Sequence, residues 1–422
     1  MPFSGHLNPM TTLARKLQSR GHEVVFVSVL DTEAKIRVAG LNFVPFCEKE
    51  YPAGVVTRLL SDAARWTGMD VITQWYAGFV SSFTQASLEH LPEALAKTGV
   101  EALVIDGSYR GLELGAMHLR VPYVQVWNAL HMDPTGATPV CLFDWPYDPT
   151  PEGRARNLEG LRSMAEIAAP MRAVGMAYAD KVGMHIDWSD RFATASRLAV
   201  ITQIPKEFDF PGIPWPAQFH YAGPFHDDEG REPVPFPWER LTGKPLIYAS
   251  LGTLVNGIEN IYRTILQAAG SLSDIQMVLS IGRNMKLEDL GPIPSNTIAV
   301  PSAPQIDLLK RAELCITHAG LNTALETLAK GVPMVAIPIA FDQPGVASRI
   351  AYHGVGEFLN FDNLTVEALS ALIQKVRTNP SYKAKALNFR RVIAQNRGLD
   401  VAADVLEEAF RKARTHVSQP HV

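Results

Sequence analysis

The chain has 422 residues, 47% of them hydrophobic and 19% charged, with a formal net charge of −4. That length suggests two to three domains, each with enough interior for its own core. The mild acidity argues against nucleic acid as a partner and against a polybasic membrane patch.

Three cysteines, Cys47, Cys141 and Cys315, stand alone in apolar surroundings without Cys-x-x-Cys spacing and read as reduced core residues. No metal-binding quartet is visible. No run approaches 18 apolar residues, and the start lacks a charged segment followed by an apolar one, so neither secretion nor spanning is expected. The expectation is a cytoplasmic protein, monomeric or weakly dimeric, with a peripheral visit to a membrane surface left open.

Taken in chain order, strands and helices alternate throughout, the signature of α/β architecture with parallel strands. Gly5-His6-Leu7-Asn8-Pro9 reads as a loop directly ahead of a first helix, with Pro9 where a missing N–H costs nothing. Met10, Leu13, Ala14 and Leu17 form the apolar stripe of that helix, which Gly21 ends before a strand over 23–29. A buried strand over 102–105 runs into Asp106 and the small-residue loop Gly107-Ser108, and another strand covers 122–126. Residues 60–90 and 127–192 hold most of the aromatics of this half: Trp66, Trp75, Tyr76, Phe79, Phe83, Trp127, Phe143, Trp145, Tyr178, Trp188 and Phe192. The spacing of Trp75, Phe79 and Phe83 fits a core-facing helical stripe.

Between 221 and 241 the composition turns rich in Pro, Gly and charge, and reads as a linker. A second half of similar plan follows. A strand over 245–250 empties into Leu251-Gly252-Thr253, a helix starts near Glu259, and strands cover 276–281 and 297–300. Helices over 366–378, 381–396 and 400–414 close the chain, and the tail after Thr415 is expected to be disordered. The domains expected are 1–222, a linker 223–243, and 244–398, followed by a helix over 399–415.

The stretch 301–349 is the most informative. A buried strand over 314–317 meets the turn His318-Ala319-Gly320, then a helix over 321–330 that Gly331 and Pro333 stop. A second strand over 334–339 runs into Asp342-Gln343. A strand that empties through such a turn into a helix N-terminus makes an anion site. Asn322 and Thr323 can add donors for a diphosphate, and Glu326, one turn on, can accept from a pair of ribose hydroxyls. Asp342-Gln343 falls at the carboxyl edge of the next parallel strand, where ligands of open α/β sheets bind. Each residue alone fits an ordinary capped helix; in register they describe a nucleotide carrying a sugar.

This stretch, with THAGLNT, LE, GVP and PIAFDQPGVA in order, resembles the nucleotide-sugar signature of family 1 glycosyltransferases, and its detail is most similar to the bacterial zeaxanthin (carotenoid) glucosyltransferase branch. The resemblance implies the GT-B fold, two Rossmann-like doubly wound domains facing across a cleft, with the last helix crossing back onto the first domain. It implies a UDP-sugar as co-substrate, UDP-glucose by preference. Ala303 and Gln305 would meet the base and ribose, His318, Gly320, Asn322 and Thr323 the diphosphate, Glu326 the ribose, and Asp342 with Gln343 the transferred sugar. Ser250, Gly252 and Thr253 resemble the family's Ser/Thr-bearing Gly-rich loop facing the phosphates. One departure is Ser302, where many relatives place a Trp that stacks on the uracil. Stacking of that kind is worth roughly 1–3 kcal/mol per base.

By the same resemblance His6 is the general base, suited by an imidazole pKa near working pH, and Asp106 is the carboxylate that orients it. Alone, His6 reads equally as a polar residue near a helix cap and Asp106 as a turn residue. The chain has no Asp-x-Asp in a plausible loop, and Asp227-Asp228 reads as a solvated turn, so metal independence is expected, with His318 and the helix N-terminus in the metal's place. In relatives the aromatic-rich insertions line the acceptor pocket, so the resemblance implies a hydrophobic small-molecule acceptor: carotenoid, flavonoid, terpenoid or polyketide. Two other readings stay open: a sugar-nucleotide epimerase on the same fold, which needs no His6–Asp106 pair, and a non-catalytic auxiliary homologue. Finally, this fold places a hydrophobic strand ahead of a loop such as Phe3-Ser4-Gly5-His6. Only three residues stand there, and a start upstream by about five or six residues, one short strand, is expected.

Overall fold

The computed structural model describes residues 2–108, 110–227, 233–254 and 256–417, the side chains of 416 and 417 excepted; Asp228 and residues 418–422 lie outside them. The last helix runs on to Val417, past the Thr415 limit expected from composition.

Twelve strands are described, all in parallel pairs. They are β1 (Val25–Ser28), β2 (Asn42–Pro45), β3 (Leu103–Asp106), β4 (Tyr123–Trp127), β5 (Val200–Thr202), β6 (Phe219–Tyr221), β7 (Leu246–Ser250), β8 (Gln276–Ser280), β9 (Thr297–Val300), β10 (Ala312–Thr317), β11 (Met334–Ala336) and β12 (Gly356–Phe358). The C-terminal half is one six-stranded sheet in the order β12-β11-β10-β7-β8-β9. Chain direction across that sheet reverses between β7 and β10, which makes their carboxyl ends the topological switch point where such sheets bind ligands. All of β7 is buried, as are the four residues Leu314 to Thr317 of β10. Strands covered by helices on both faces need such continuous apolar runs.

The N-terminal half differs from one continuous sheet. β3-β4-β5-β6 form a four-stranded sheet, while β1 and β2 pair only with each other. The first helix, Ser4–Ser19, bridges the two pieces. Its Ala14 packs with Ile36, Leu41 and Phe43 on the β1–β2 side. Its Leu13, 1% exposed, packs with Val124, Val126 and Ile201 and with Ala402 and Leu406 of the last helix. That last helix, Gly398–Val417, lies along the first: Lys16 pairs with Asp400 at 2.5 Å and Arg20 with Asp404 at 2.5 Å.

Three sequence expectations change. The segment Gly5 to Pro9 is no loop: Phe3 O accepts from the N–H of His6 at 2.9 Å and of Leu7 at 2.8 Å, which starts the helix at Ser4. Pro9 therefore lies inside the helix rather than at its first position. The apolar run 334–339 is strand only over Met334–Ala336, because the N–H groups of Ile339 and Ala340 turn to Gln343 Oε1 at 2.8 and 3.0 Å. The three-residue strands β5 and β6 and the helices Pro151–Ile167 and Ala169–Lys181 have no counterpart in the sequence reading.

Candidate active site

The two halves enclose a cleft of about 1730 Å³. Ser250, Gly252, Thr253, Ala303, Gln305, His318, Gly320, Asn322, Thr323, Glu326, Asp342 and Gln343 all line it, and so does His6. Asp106 stands behind His6.

At the switch point, the loops after β7 and β10 close on one imidazole. A Cβ on Gly252 or on Gly320 would come within 2.5 and 2.4 Å of His318 Nε2, so both positions must be bare for the ring to sit there. Gly252 has φ +75°, but Gly320, at φ −60° and ψ 131°, has a backbone any residue adopts. Its requirement is contact alone. Between the ring and Gly320, Ala319 takes φ +62° without being glycine, a strained turn of the sort that collects at sites. Burial pushes the His318 pKa down to about 4, the Ser250 backbone offsetting this only in part. The ring is neutral near pH 7.

Gly320 then caps the helix Leu321–Ala329 without a side-chain hydrogen bond. The N–H groups of its first turn have no intrahelical acceptor and carry the positive end of the dipole. Around them the side chains are already arranged. Gln305 Nε2 donates to Glu326 Oε2 at 2.6 Å, and Tyr248 OH donates to Gln305 Oε1 at 3.1 Å. Glu326 is 2% exposed. Asp342 Oδ2 accepts from the Leu130 N–H at 2.8 Å, across the cleft, and burial raises its carboxyl pKa. Gln343 spends its oxygen on Ile339 and Ala340, leaving its NH2 for a ligand. Asn322 departs from the sequence expectation: its amide bridges Gly5 and Gln203 rather than standing open to a phosphate.

On the opposite wall, His6 Nδ1 lies 2.8 Å from Asp106 Oδ2. The other carboxylate oxygen accepts from the Ser108 N–H at 3.1 Å. Burial opposes the charge on Asp106, but neighbouring positive charge and the hydrogen bond with His6 outweigh it and hold the carboxyl well below its usual range. An ionised Asp106 accepts the Nδ1–H and leaves the Nε2 lone pair of His6 for a substrate proton. Among the described residues, no group of three or more His, Cys, Asp or Glu side chains is placed to hold a metal ion.

Comparison with known proteins agrees with this geometry. Residues 201–403 match the model of the family described as UDP-glucoronosyl and UDP-glucosyl transferase. Over 419 residues the chain is 28% identical to the zeaxanthin glucosyltransferase of Pantoea ananas, covering 97% of this chain and 94% of that protein. It is 26% identical over 419 residues to the demethyllactenocin mycarosyltransferase of Streptomyces fradiae, covering 96% and 84%. The crystal structure of CalG4, the calicheamicin glycosyltransferase, matches the fold with a TM-score of 0.74 at 22% identity, over 97% of this chain and 96% of that one. Over residues 201–403 and along its full-length relatives the chain is similar to the family 1 glycosyltransferases. Its fold is the family's two-domain GT-B arrangement.

The expected acceptor aromatics divide. Trp75, Tyr76, Trp127, Trp188 and Phe192 line the cleft. Phe79 and Phe83 are core, stacked on each other at 5.3 Å. Phe143 and Trp145 stack on one another at 4.1 Å away from the lining, and Trp66 is 40% exposed. Ser302 lines the cleft beside Ala303 and Gln305.

Sequence reading missed a buried cluster that joins the domains. Arg349, 2% exposed, donates to Asp209 Oδ1 through Nη2 at 2.7 Å and Nε at 3.1 Å. Asp209 Oδ2 accepts from Tyr221 OH at 2.6 Å and lies 2.8 Å from His131 Nε2. Arg349 was visible as the end of the signature stretch, but nothing in the sequence pairs it with a residue 140 positions earlier. Also missed was Asn128, a cleft residue 2% exposed whose Oδ1 has no hydrogen-bond partner among the described residues.

Proposed function

We propose that this protein is a glycosyltransferase that moves a hexose, glucose from UDP-glucose, onto a hydroxyl of a hydrophobic small molecule, with inversion at the anomeric carbon. The observation that carries this reading is the 2.8 Å His6–Asp106 bond on the wall of the cleft that His318 and the helix Leu321–Ala329 also line. His6 Nε2 takes the proton of the acceptor hydroxyl as its oxygen attacks the anomeric carbon from the face opposite the leaving group. Asp106 stabilises the imidazolium that results. The departing diphosphate meets the first-turn N–H groups and His318, donors set in place before the charge develops. We assign the neutralisation of that charge to these groups without a metal. Glu326 and Gln305 take the ribose, and Asp342 with the NH2 of Gln343 takes the sugar hydroxyls.

The apolar lining around Trp75, Trp127 and Trp188 suits a carotenoid, flavonoid, terpenoid or polyketide hydroxyl. Two relatives whose names carry zeaxanthin and demethyllactenocin support an acceptor of that kind. An epimerase would have no use for the His6–Asp106 pair, and an auxiliary homologue would be free to lose it. We place the protein in the cytoplasm, where nucleotide sugars are at hand.

The test is transfer from UDP-glucose and dTDP-glucose to hydroxylated carotenoids, flavonoids and macrolides, with the anomeric configuration of the product read by NMR. A β-glucoside from the α-linked donor supports the reading; an α-glucoside, or epimerised donor without transfer, contradicts it.

A further inference from the structure

One carbonyl of the first helix lacks its helical partner. In an α-helix the N–H of each residue bonds the carbonyl four positions earlier, and Pro9, inside Ser4–Ser19, has no N–H to offer Gly5. The Gly5 carbonyl is taken from the other domain instead: Asn322 Nδ2 donates to it at 2.5 Å. The same amide is held at its other end, where Gln203 Nε2 donates to Asn322 Oδ1 at 2.9 Å. Gln203 Nε2 also donates to Asn128 O at 2.7 Å. Gly5 immediately precedes His6, and Asn322 lies in the first turn of the helix Leu321–Ala329. A single bond therefore ties the first turn of one helix to the first turn of the other.

We propose that Asn322 is a positioning residue for His6, and that Pro9 keeps the Gly5 carbonyl available to it. The inference rests on His6 being the base and Leu321–Ala329 being the donor helix. The ring of His6 is oriented by Asp106, and its backbone by Asn322, so the base is referenced to both domains at once. When the cleft opens, the Gly5 bond breaks and His6 loses its second reference. When it closes on a nucleotide sugar, the bond returns the base to its place against the donor. A nucleoside diphosphate sugar seated on the donor helix thereby sets the position of the base that acts on the acceptor.

The test is a double-mutant cycle of Pro9→Ala and Asn322→Ala. Alanine at position 9 restores an N–H that competes for Gly5 O and improves helix propensity, so this variant is expected to fold. The readout is the ring 1H–15N NMR signals of His6 in the free protein, identified by their loss in His6→Ala. Each single variant is expected to move those signals and their titration midpoint, and the double variant to match Asn322→Ala, because the bond is already gone. With UDP-glucose and an acceptor, kcat of Pro9→Ala is expected to fall about tenfold while its Kd for UDP stays within about twofold. His6 signals that do not move in Asn322→Ala, or effects that add fully in the double variant, would overturn the proposal. Lack of transfer by the unsubstituted protein speaks against the function proposed above, and the ring signals still decide the link.

Discussion

His6 and Asp106 are 100 positions apart in sequence and 2.8 Å apart in space, and their bond settles which imidazole nitrogen faces the cleft. With Nδ1–H donated to the carboxylate, Nε2 is the acceptor. Asp106→Asn keeps the size and removes the charge, which frees the ring to turn or take the other tautomer. The expected result is a fall in kcat of about 10²–10⁴-fold with the Kd for UDP unchanged. Steady-state kinetics beside calorimetry would check both halves.

Gly320 and His318 make a second, separable prediction. At φ −60°, Gly320 adopts a conformation that alanine shares, so strain of the backbone is not at issue. A methyl there would meet His318 Nε2 at 2.4 Å and must push the ring out of its seat. Gly320→Ala is expected to weaken UDP binding by about tenfold or more, a loss of about 1.4 kcal/mol. Its thermal stability should change little if the ring finds another rotamer. Calorimetric titration with UDP is the check.

Much of this site was legible in the sequence because its chemistry is local. A strand, a His-Ala-Gly turn and a helix start are written consecutively, and the structure brings His318, Gly320 and Glu326 to the lining of the cleft. The alternation of apolar strands with helices likewise announced two doubly wound halves. What stayed hidden depends on contacts between distant segments. The reach of Asn322 to Gly5, the pairing of Arg349 with Asp209 and the split between β1–β2 and β3–β6 are set by how the halves meet. Local rules also misled at Pro9: proline favours a helix start, but Phe3 O had already captured two N–H groups upstream. The positive φ of Ala319 and Phe341 gave no sign in advance, since neither residue type advertises the left-handed region.

The Arg349–Asp209 pair predicts stability rather than activity. Both side chains are buried, and truncating Arg349 takes the guanidinium from Asp209 Oδ1 and leaves that charge only His131 and Tyr221 on Oδ2. Arg349→Ala is expected to cost about 3–5 kcal/mol. Arg349→Met together with Asp209→Leu should recover part of that loss, because neither charge is then stranded. Denaturant unfolding of the single and double variants measures the difference.

Acid should destabilise the ligand-free protein well before its carboxylates titrate. The folded-state pKa values of His318 and His353 are both pushed down to about 4, in each case by burial first. An unfolded histidine titrates near 6.5. Between about pH 6.5 and 4 the unfolded chain binds protons that the folded chain refuses, so stability falls as pH falls through that window. The expected outcome is a melting temperature that drops from pH 7 to pH 4.5, with a shallower drop in His318→Asn. Calorimetric melts across that range would show it.

The most direct test of the central claim is mass spectrometry of acceptors incubated with UDP-glucose and the purified protein, beside His6→Ala. The account predicts a hexose mass shift on a hydrophobic hydroxylated acceptor that disappears in His6→Ala while that variant still binds UDP. Transfer that survives the loss of His6 would contradict it.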